Sequence, residues 1–517
     1  MCGIAGILNC NGEPVSPVII KKMTDSIAHR GPDGEGQWVE GPIGLGHRRL
    51  MVIDLTEAGH QPMSNDDNTL LITYSGETFN FPELRTELEA RGYRFHSNTD
   101  TEVALKSYEE WGESCLDRFN GMFAFAIWNE RKRELFLARD RFGIKPLYYF
   151  YDGKTFIFAS EIKAILRHPK ISTRICYPAL LEYFTFQNIF SDITLFEGIK
   201  LLPAGTFLRI RPGKSPQFSE KKYWDYDFRE PDSPLAEEEY IEELDRLFSQ
   251  AVQRQLISDV PVGAQLSGGI DSAAITAIAA RNIPYLTTFT VGFDLSSASG
   301  LEVASDERPK AEQLSNLYKT EHYEAVLKAG DMERIMEPLI RHLEDLRVGQ
   351  CYPNFYLNRL AGKFVKVLLC GAGGDELFAG YPWRYFRVGH SPDLETYTRR
   401  YYRYWQRMLT DAGLKSLFRP ETRKKCGGYR TIDVFKAVLE NDQSEPETPA
   451  QFINRSLYFE IKTFLQGLFL VEDKLSMANS VEIRVPFLDN DLVDFASTVP
   501  IRFKLRDLEK NLRVDEN

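Results

Sequence analysis

No stretch of this 517-residue chain stays apolar for the roughly 18–20 residues that a bilayer span requires, which argues against a helical membrane anchor. The first residues lack the basic stretch that opens a signal peptide. The seven cysteines, at positions 2, 10, 115, 176, 351, 370 and 426, form no CxxC pair, so neither a disulfide framework nor a zinc site is expected and a reducing compartment fits best. The eight histidines show no HExxH and no paired helical spacing, which leaves a transition-metal centre without support. No clustered Lys/Arg stripe accompanies the formal net charge of -11 and the pI near 5.5, so nucleic acid is not an expected partner. Together these absences predict a cytoplasmic chain with neither a membrane nor a nucleic-acid partner.

A composition 43% hydrophobic and 26% charged lies near the globular average, and at about 100–200 residues per domain the length predicts two large domains. Up to about residue 205 the chain reads as short strands, among them Thr69–Tyr74, Gly121–Trp128, Leu135–Ala138 and Leu147–Tyr151, with helices over Pro82–Arg91 and Thr101–Trp111. Breakers crowd between Pro203 and Pro234, which places a boundary near 210 and divides the chain into 2–210 and 211–517. Beyond it, Ala236–Ser258 has Tyr240, Leu244, Leu247, Phe248 and Ala251 at helical spacing. Strand-like Val260–Leu266, Leu286–Phe293 and Phe364–Cys370 then alternate with helix, the pattern of a parallel α/β sheet, and Tyr- and Arg-rich helical stretches dominate from about 385.

The chain opens Met1-Cys2-Gly3-Ile4. The small residue after Met1 permits removal of the initiator, and Cys2 would then carry a free α-amine with an ordinary pKa of about 7.7–8.0, able to take the thiol proton without a histidine. Alone, a cysteine at that position is most often an incidental buried residue. It does not stand alone: Cys2-Gly3-Ile4-Ala5-Gly6 is followed by His29-Arg30-Gly31-Pro32-Asp33, His47-Arg48-Arg49-Leu50 and Arg139-Asp140-Arg141-Phe142-Gly143-Ile144-Lys145-Pro146-Leu147-Tyr148-Tyr149. This ordered set resembles the class II glutamine amidotransferases. The resemblance implies an α+β N-terminal-nucleophile hydrolase sandwich (αββα) in which Cys2 attacks the carboxamide of glutamine and forms a thioester. It further implies that Arg49 grips the substrate α-carboxylate and that Glu77 and Asp100 serve the glutamine site, Asp100 against the α-ammonium. The oxyanion motif of that family reads Tyr-Asn-Gly-Glu, whereas this chain has Tyr74-Ser75-Gly76-Glu77. Gly76 still offers its backbone N–H, but loss of one such side-chain donor costs about 10²–10³ in turnover, so a slow glutaminase is expected.

A second motif, Leu266-Ser267-Gly268-Gly269-Ile270-Asp271-Ser272, follows a strand and opens a helix, so its N–H groups and hydroxyls converge where an anion would sit. Asp271 suits such a place only with a hard cation between it and phosphate. The motif resembles the loop of the ATP pyrophosphatases, which implies adenylation with ATP and Mg2+. Cys370-Gly371-Ala372-Gly373-Gly374-Asp375-Glu376 follows another apolar strand and supplies Asp375 as partner ligand to Asp271. The same resemblance puts the adenine between Val291 and Cys370-Gly371. With Asp473-Lys474-Leu475-Ser476-Met477-Ala478 and Glu482-Ile483-Arg484-Val485-Pro486-Phe487-Leu488-Asp489, the chain is similar over nearly its whole length to the glutamine-dependent asparagine synthetases. Glu482 and Arg484 read as part of a structural ion-pair network around a helix end ahead of direct catalysis.

That similarity implies glutamine, ATP and aspartate as substrates, and a homodimer accords with it. Where those enzymes usually carry glutamate, however, this chain has Ala372, and the lysine-bearing segment that follows their RVPFLD motif is not among these residues. The acceptor therefore stays open between aspartate, a sugar acid and another biosynthetic carboxylate, and a weakened nucleotide-binding scaffold is the alternative of a different class. The apolar stretch Met122-Phe123-Ala124-Phe125-Ala126 is expected to be core, with a passage for ammonia as the other reading.

Overall fold

Short strands build the first domain: β1 (Gly3–Asn9), β2 (Gly34–Glu40), β3 (Ile43–Arg49), β4 (Met63–Ser64), β5 (Leu70–Thr78), β6 (Gly121–Asn129), β7 (Glu134–Arg139), β8 (Tyr148–Tyr151), β9 (Thr155–Ala159), β10 (Ile199–Leu201), β11 (Thr206–Arg211) and β12 (Gln217–Lys222). They are seen in a computed structural model that describes residues 1–294, 296, 306–347, 351–439 and 446–506. The strands form two six-stranded antiparallel sheets, ordered β10-β8-β9-β1-β3-β2 and β12-β11-β7-β6-β5-β4. Side chains alternate between faces along a strand, so each sheet packs on two sides. Ile4, Leu8 and Leu45 of the first sheet meet Ala124, Ala126, Leu135 and Leu137 of the second in a core between them. On the outer faces, Ala5 and Ile7 pack on Ile20 and Met23 of the helix Pro17–Asp25. Tyr74, Phe123 and Phe125 pack on Leu84, Leu88, Val103 and Leu105 of the helices Phe81–Ala90 and Asp100–Trp111. The result is the expected αββα sandwich. Its second sheet runs on to Lys222, so the boundary expected near 210 falls inside β11 and the connection lies after β12.

The second domain is a five-stranded parallel sheet of β13 (Val262–Gln265), β14 (Thr287–Phe293), β15 (Glu321–Leu327), β16 (Val367–Leu369) and β17 (Glu482–Arg484), ordered β15-β14-β13-β16-β17. Chain order reverses between β13 and β16, and in such sheets ligands bind beyond the carboxyl ends of the strands at that switch point. The glycine-rich loops after β13 and β16 both lie there. Between β16 and β17 the chain builds the expected helical part, whose aromatic side chains Tyr397, Tyr401, Trp405, Phe435 and Phe459 pack together. No described helix is long and apolar enough to cross a membrane.

One apolar cluster spans both domains, joining Met1, Leu50, Val52, Met122, Phe142 and Ile144 to Ile483, Val485 and Leu488. Polar contacts frame it. Arg30, wholly buried, donates to Asp473 across the interface at 2.8 Å and to Glu161 in its own domain at 3.0 Å. Asn120 donates to Asp489 at 2.9 Å, and Asn490 to the Phe119 carbonyl at 2.8 Å. Breaking a buried pair by removing one partner costs about 3–5 kcal/mol, because the other charge is left uncompensated. Arg30→Ala is therefore expected to lose stability on that scale in calorimetry or denaturant unfolding; a change within about 0.5 kcal/mol, the usual effect of an ordinary surface substitution, would show that the pair does not hold the domains.

Candidate functional site

Cys2 lies just ahead of β1, where pairing with β3 sets Gly3 opposite Arg48. Its thiol points toward the Leu50 carbonyl at 3.9 Å, and its own carbonyl accepts from Arg30 Nε at 3.2 Å and from Ser75 Oγ at 2.7 Å. Met1 is buried, with its α-ammonium 2.8 Å from Glu482 of β17. With Met1 in place the nitrogen of Cys2 is an amide, and burial pushes the thiol up to about 11. The amine base expected from the sequence thus belongs to the chain from which Met1 has been removed.

Ser75, Gly76 and Glu77 follow one another on β5 and alternate in direction. The Ser75 hydroxyl is spent on the Cys2 carbonyl, which fixes the residue before β1. Gly76 has φ +154°, and a Cβ there would run into the Met122 carbonyl of the paired strand β6. Glu77 is buried, and its Oε2 has no hydrogen-bond partner among the described residues. Burial raises its carboxyl, as do the charges of Glu482 and Asp100, against the opposing Arg484. Asp100 accepts from the Thr78 N–H at 2.9 Å and is pushed up to about 6, first by burial and then by Glu482. Arg49, at the end of β3, is buried and donates to the carbonyls of Thr56, at 2.6 Å, and of Asp54. Cys2, Ser75, Glu77 and Asp100 are thus gathered around one buried place whose carboxyls burial holds toward the neutral form. A cationic group is what such a place accepts at least cost.

The second site forms beyond the ends of β13 and β16. A cavity of about 570 Å³ is lined by Leu266, Ser267, Gly269, Asp271, Ser272, Val291, Cys370, Gly371, Ala372 and Asp375, with Gln265, Thr290 and Glu307. Ser267 and Ser272 cross-link the loop: Ser267 N–H donates to Ser272 Oγ at 3.0 Å, and Gly269 N–H to Ser267 Oγ at 3.1 Å. Gly268 is not in the wall; it turns to the stem of Lys310, a cation that the sequence reading did not single out. Asp271 lies so close to the second loop that a Cβ on Gly374 would stand 2.5 Å from its carboxyl. Burial and the charge of Asp375 push Asp271 up to about 6. Two carboxylates that repel each other beside an anion-binding turn fit a divalent cation, which would remove that repulsion.

A smaller cavity of about 180 Å³ lies at the domain interface, lined on one side by Ile144 and Lys145 and on the other by Gln265, Asn354, Cys370, Ala372, Glu472, Asp473, Ile483 and Val485. Gln265, Cys370 and Ala372 also line the larger cavity, so the two share a wall. Of the stretch 122–126, Met122 faces the cluster between the domains. Phe123 and Phe125 belong to the outer core, and Ala124 and Ala126 to the core between the sheets. Glu482 forms the ion pair with Arg484 that the sequence suggests, at 2.7 Å. It also receives the α-ammonium of Met1, a role that no spacing could reveal because the partners lie at opposite ends of the chain.

Residues 1–224 match the family described as glutamine amidotransferase domain, and residues 243–513 the family described as asparagine synthase. An asparagine synthetase (glutamine-hydrolyzing) 3 of Bacillus subtilis (strain 168) is 34% identical, over 98% of this chain and 82% of its own length. An asparagine synthetase (glutamine-hydrolyzing) 1 of the same strain is also 34% identical, with the same shares covered.

The raised carboxyl of Asp100 makes a stability prediction. An acid whose folded pKa lies above its ordinary value of about 3.9 penalises the fold above the folded pKa, and the penalty fades as pH falls through 6 toward 4. Asp100→Asn keeps an acceptor for Thr78 and removes the charge. It is expected to unfold at a higher temperature at pH 8, by about 2–4 °C for each 1 kcal/mol regained, and to lose that advantage near pH 4. An equal or lower midpoint at pH 8 would contradict this.

Proposed function

The chain belongs to the asparagine synthase family, and from that premise we propose that it makes a carboxamide, hydrolysing glutamine at Cys2 and passing the ammonia to a carboxylate adenylated in the second domain. The observation that carries this reading is the small cavity at the domain interface: Ile144 and Lys145 of the first domain line it together with Ile483, the residue after Glu482, and it shares Gln265, Cys370 and Ala372 with the nucleotide cavity.

Once Met1 is removed, the Cys2 amine takes the thiol proton and the sulfur attacks the glutamine carboxamide. A thioester forms, ammonia leaves, and water then releases glutamate. Arg49 holds the α-carboxylate, and Glu77 and Asp100 the α-ammonium, whose charge would draw both raised carboxyls back toward the ionised form. With the Ser75 hydroxyl engaged by the Cys2 carbonyl, the oxyanion is left to the Gly76 N–H, and turnover is slow. In the second site Leu266, Ser267, Gly269, Ser272, Val291, Cys370 and Gly371 form the cradle for ATP, with Gly268 turned away toward Lys310, and the sheet switch point puts the cradle where the two loops converge. Asp271 and Asp375 would hold Mg2+, which when bound neutralises phosphate charge. The acceptor carboxylate attacks the α-phosphorus, pyrophosphate leaves, and ammonia displaces AMP from the acyl carbon.

Aspartate is the acceptor that the names of the relatives suggest. A second reading has a specific observation in its favour: Ala372 lies in the shared wall and contributes neither charge nor bulk, which suits a larger acid such as a sugar acid.

Cys2→Ala separates the two half-reactions. The variant is expected to release no glutamate above background and to form no amide from glutamine, while ammonium with ATP and magnesium still gives amide and pyrophosphate. Glutamate release equal to that of the unmodified chain would remove Cys2 as nucleophile. Failure of ammonium with aspartate and with every sugar acid tried would leave a nucleotide-binding scaffold in place of a ligase.

A further inference from the structure

Amide formation from an acyl adenylate leaves one proton to be placed. Ammonia arrives with three hydrogens, the C–N bond forms, and the nitrogen sheds one proton as the C–O bond to AMP breaks and AMP departs with its electron pair. A carboxylate near the acyl carbon is the natural acceptor. The two adjoining cavities are lined, among the described residues, by Asp271, Glu307, Asp375, Glu472 and Asp473.

These five differ in what holds them. Asp271 and Asp375 face each other at the glycine-rich loops and suit a cation there. Glu307 is exposed. Asp473 accepts from both terminal nitrogens of Arg30, at 2.8 and 3.3 Å, and lies 3.9 Å from Lys145, so protonating it would break a buried ion pair. Glu472 stands apart. It is buried in the small cavity, and its hydrogen-bond donors among the described residues are neutral amides: Gln265 at 3.0 Å and Asn358 at 3.2 Å on Oε1, and Asn354 at 2.8 Å on Oε2. A carboxylate held only by amides can change charge without stranding a cation, and the same amides fix its direction. Burial raises its carboxyl above the ordinary range while the amides restrain it. Gln265 also lines the nucleotide cavity, so the group that orients Glu472 borders the place where the adenylate forms.

We propose that Glu472 is the base that takes the proton from ammonia as it attacks the acyl adenylate, a duty that Ala372 in the same wall cannot perform. The inference rests on the amide-forming reading given above.

The test measures three activities of Glu472→Gln in the full chain: ATP–pyrophosphate exchange supported by aspartate or, failing that, by each of a panel of hexuronic acids; amide formation from ammonium chloride with the same acid; and glutamate release from glutamine. Positioned acid–base groups contribute about 10²–10⁴ in rate. Amide formation is expected to fall by at least about 10²-fold while exchange and glutamate release stay within about threefold. Ala372→Glu added to Glu472→Gln, which returns a carboxylate to the same wall, is expected to recover a measurable part of the amide rate. Amide formation that survives Glu472→Gln would overturn the assignment. So would exchange that falls in parallel with amide formation, since the residue would then be structural. If the unmodified chain gives neither exchange nor amide with any acid, the amide-forming reading itself fails, a result distinct from both.

Discussion

A guanidinium with no exposed surface has to be surrounded by acceptors, and Arg30 draws its acceptors from separate parts of the chain: the Cys2 carbonyl, Glu161 beside β9, and Asp473 of the second domain. That one side chain ties the residue expected to do the chemistry to the sheet that carries it and to the partner domain. Asp473, so fixed, begins the segment that leads through Ser480, whose hydroxyl donates to the His29 carbonyl at 2.7 Å, into β17. Strand β17 touches both sites. Glu482 reaches the α-ammonium beside Cys2, the next residue, Ile483, lines the small cavity, and Cys370 N–H donates to the Arg484 carbonyl at 2.8 Å.

This arrangement accounts for the density of buried charge between the domains. Arg30, Lys145, Asp473, Glu482 and Arg484 are all nearly or wholly buried. Such groups persist only when each is paired or hydrogen-bonded, and they give less stability than an apolar packing of equal volume would. Burial pushes Lys145 down to about 8, and its Nζ donates to the Ile483 carbonyl at 3.3 Å. The apolar residues Met122, Ile144, Ile483 and Val485 fill the remaining interface. A neutral molecule as small as ammonia crosses apolar packing at lower cost than ammonium, so an interface with its charges fixed in pairs and its gaps apolar suits the transfer.

Much of this was legible in the sequence because the chemistry is written in contiguous motifs. Ser267 to Ser272 and Gly371 to Asp375 fall at strand ends as expected, and β5 to β8 lie where their apolar runs placed them. The glycine-rich β1 and β3 were not read as strands, since Gly3, Gly6, Gly44 and Gly46 interrupt the apolar pattern by which strands are recognised. The hydroxyl of Ser75 stands where the family has an amide, and its bond to the Cys2 carbonyl depends on the packing of one sheet on the other, which no local pattern encodes. Glu472, Lys310 and the Met1 to Glu482 contact were missed for the same reason: each meets its partners from a distant part of the chain.

The proposed function requires that ammonia pass from Cys2 to the second site without entering bulk water. Glutamine labelled with 15N in its amide, supplied together with excess unlabelled ammonium at a pH where glutamine is hydrolysed, tests it directly through the isotope content of the amide product. The account predicts a product enriched in 15N well above the ratio in solution; a product whose isotope content equals that of the free ammonium pool would contradict it.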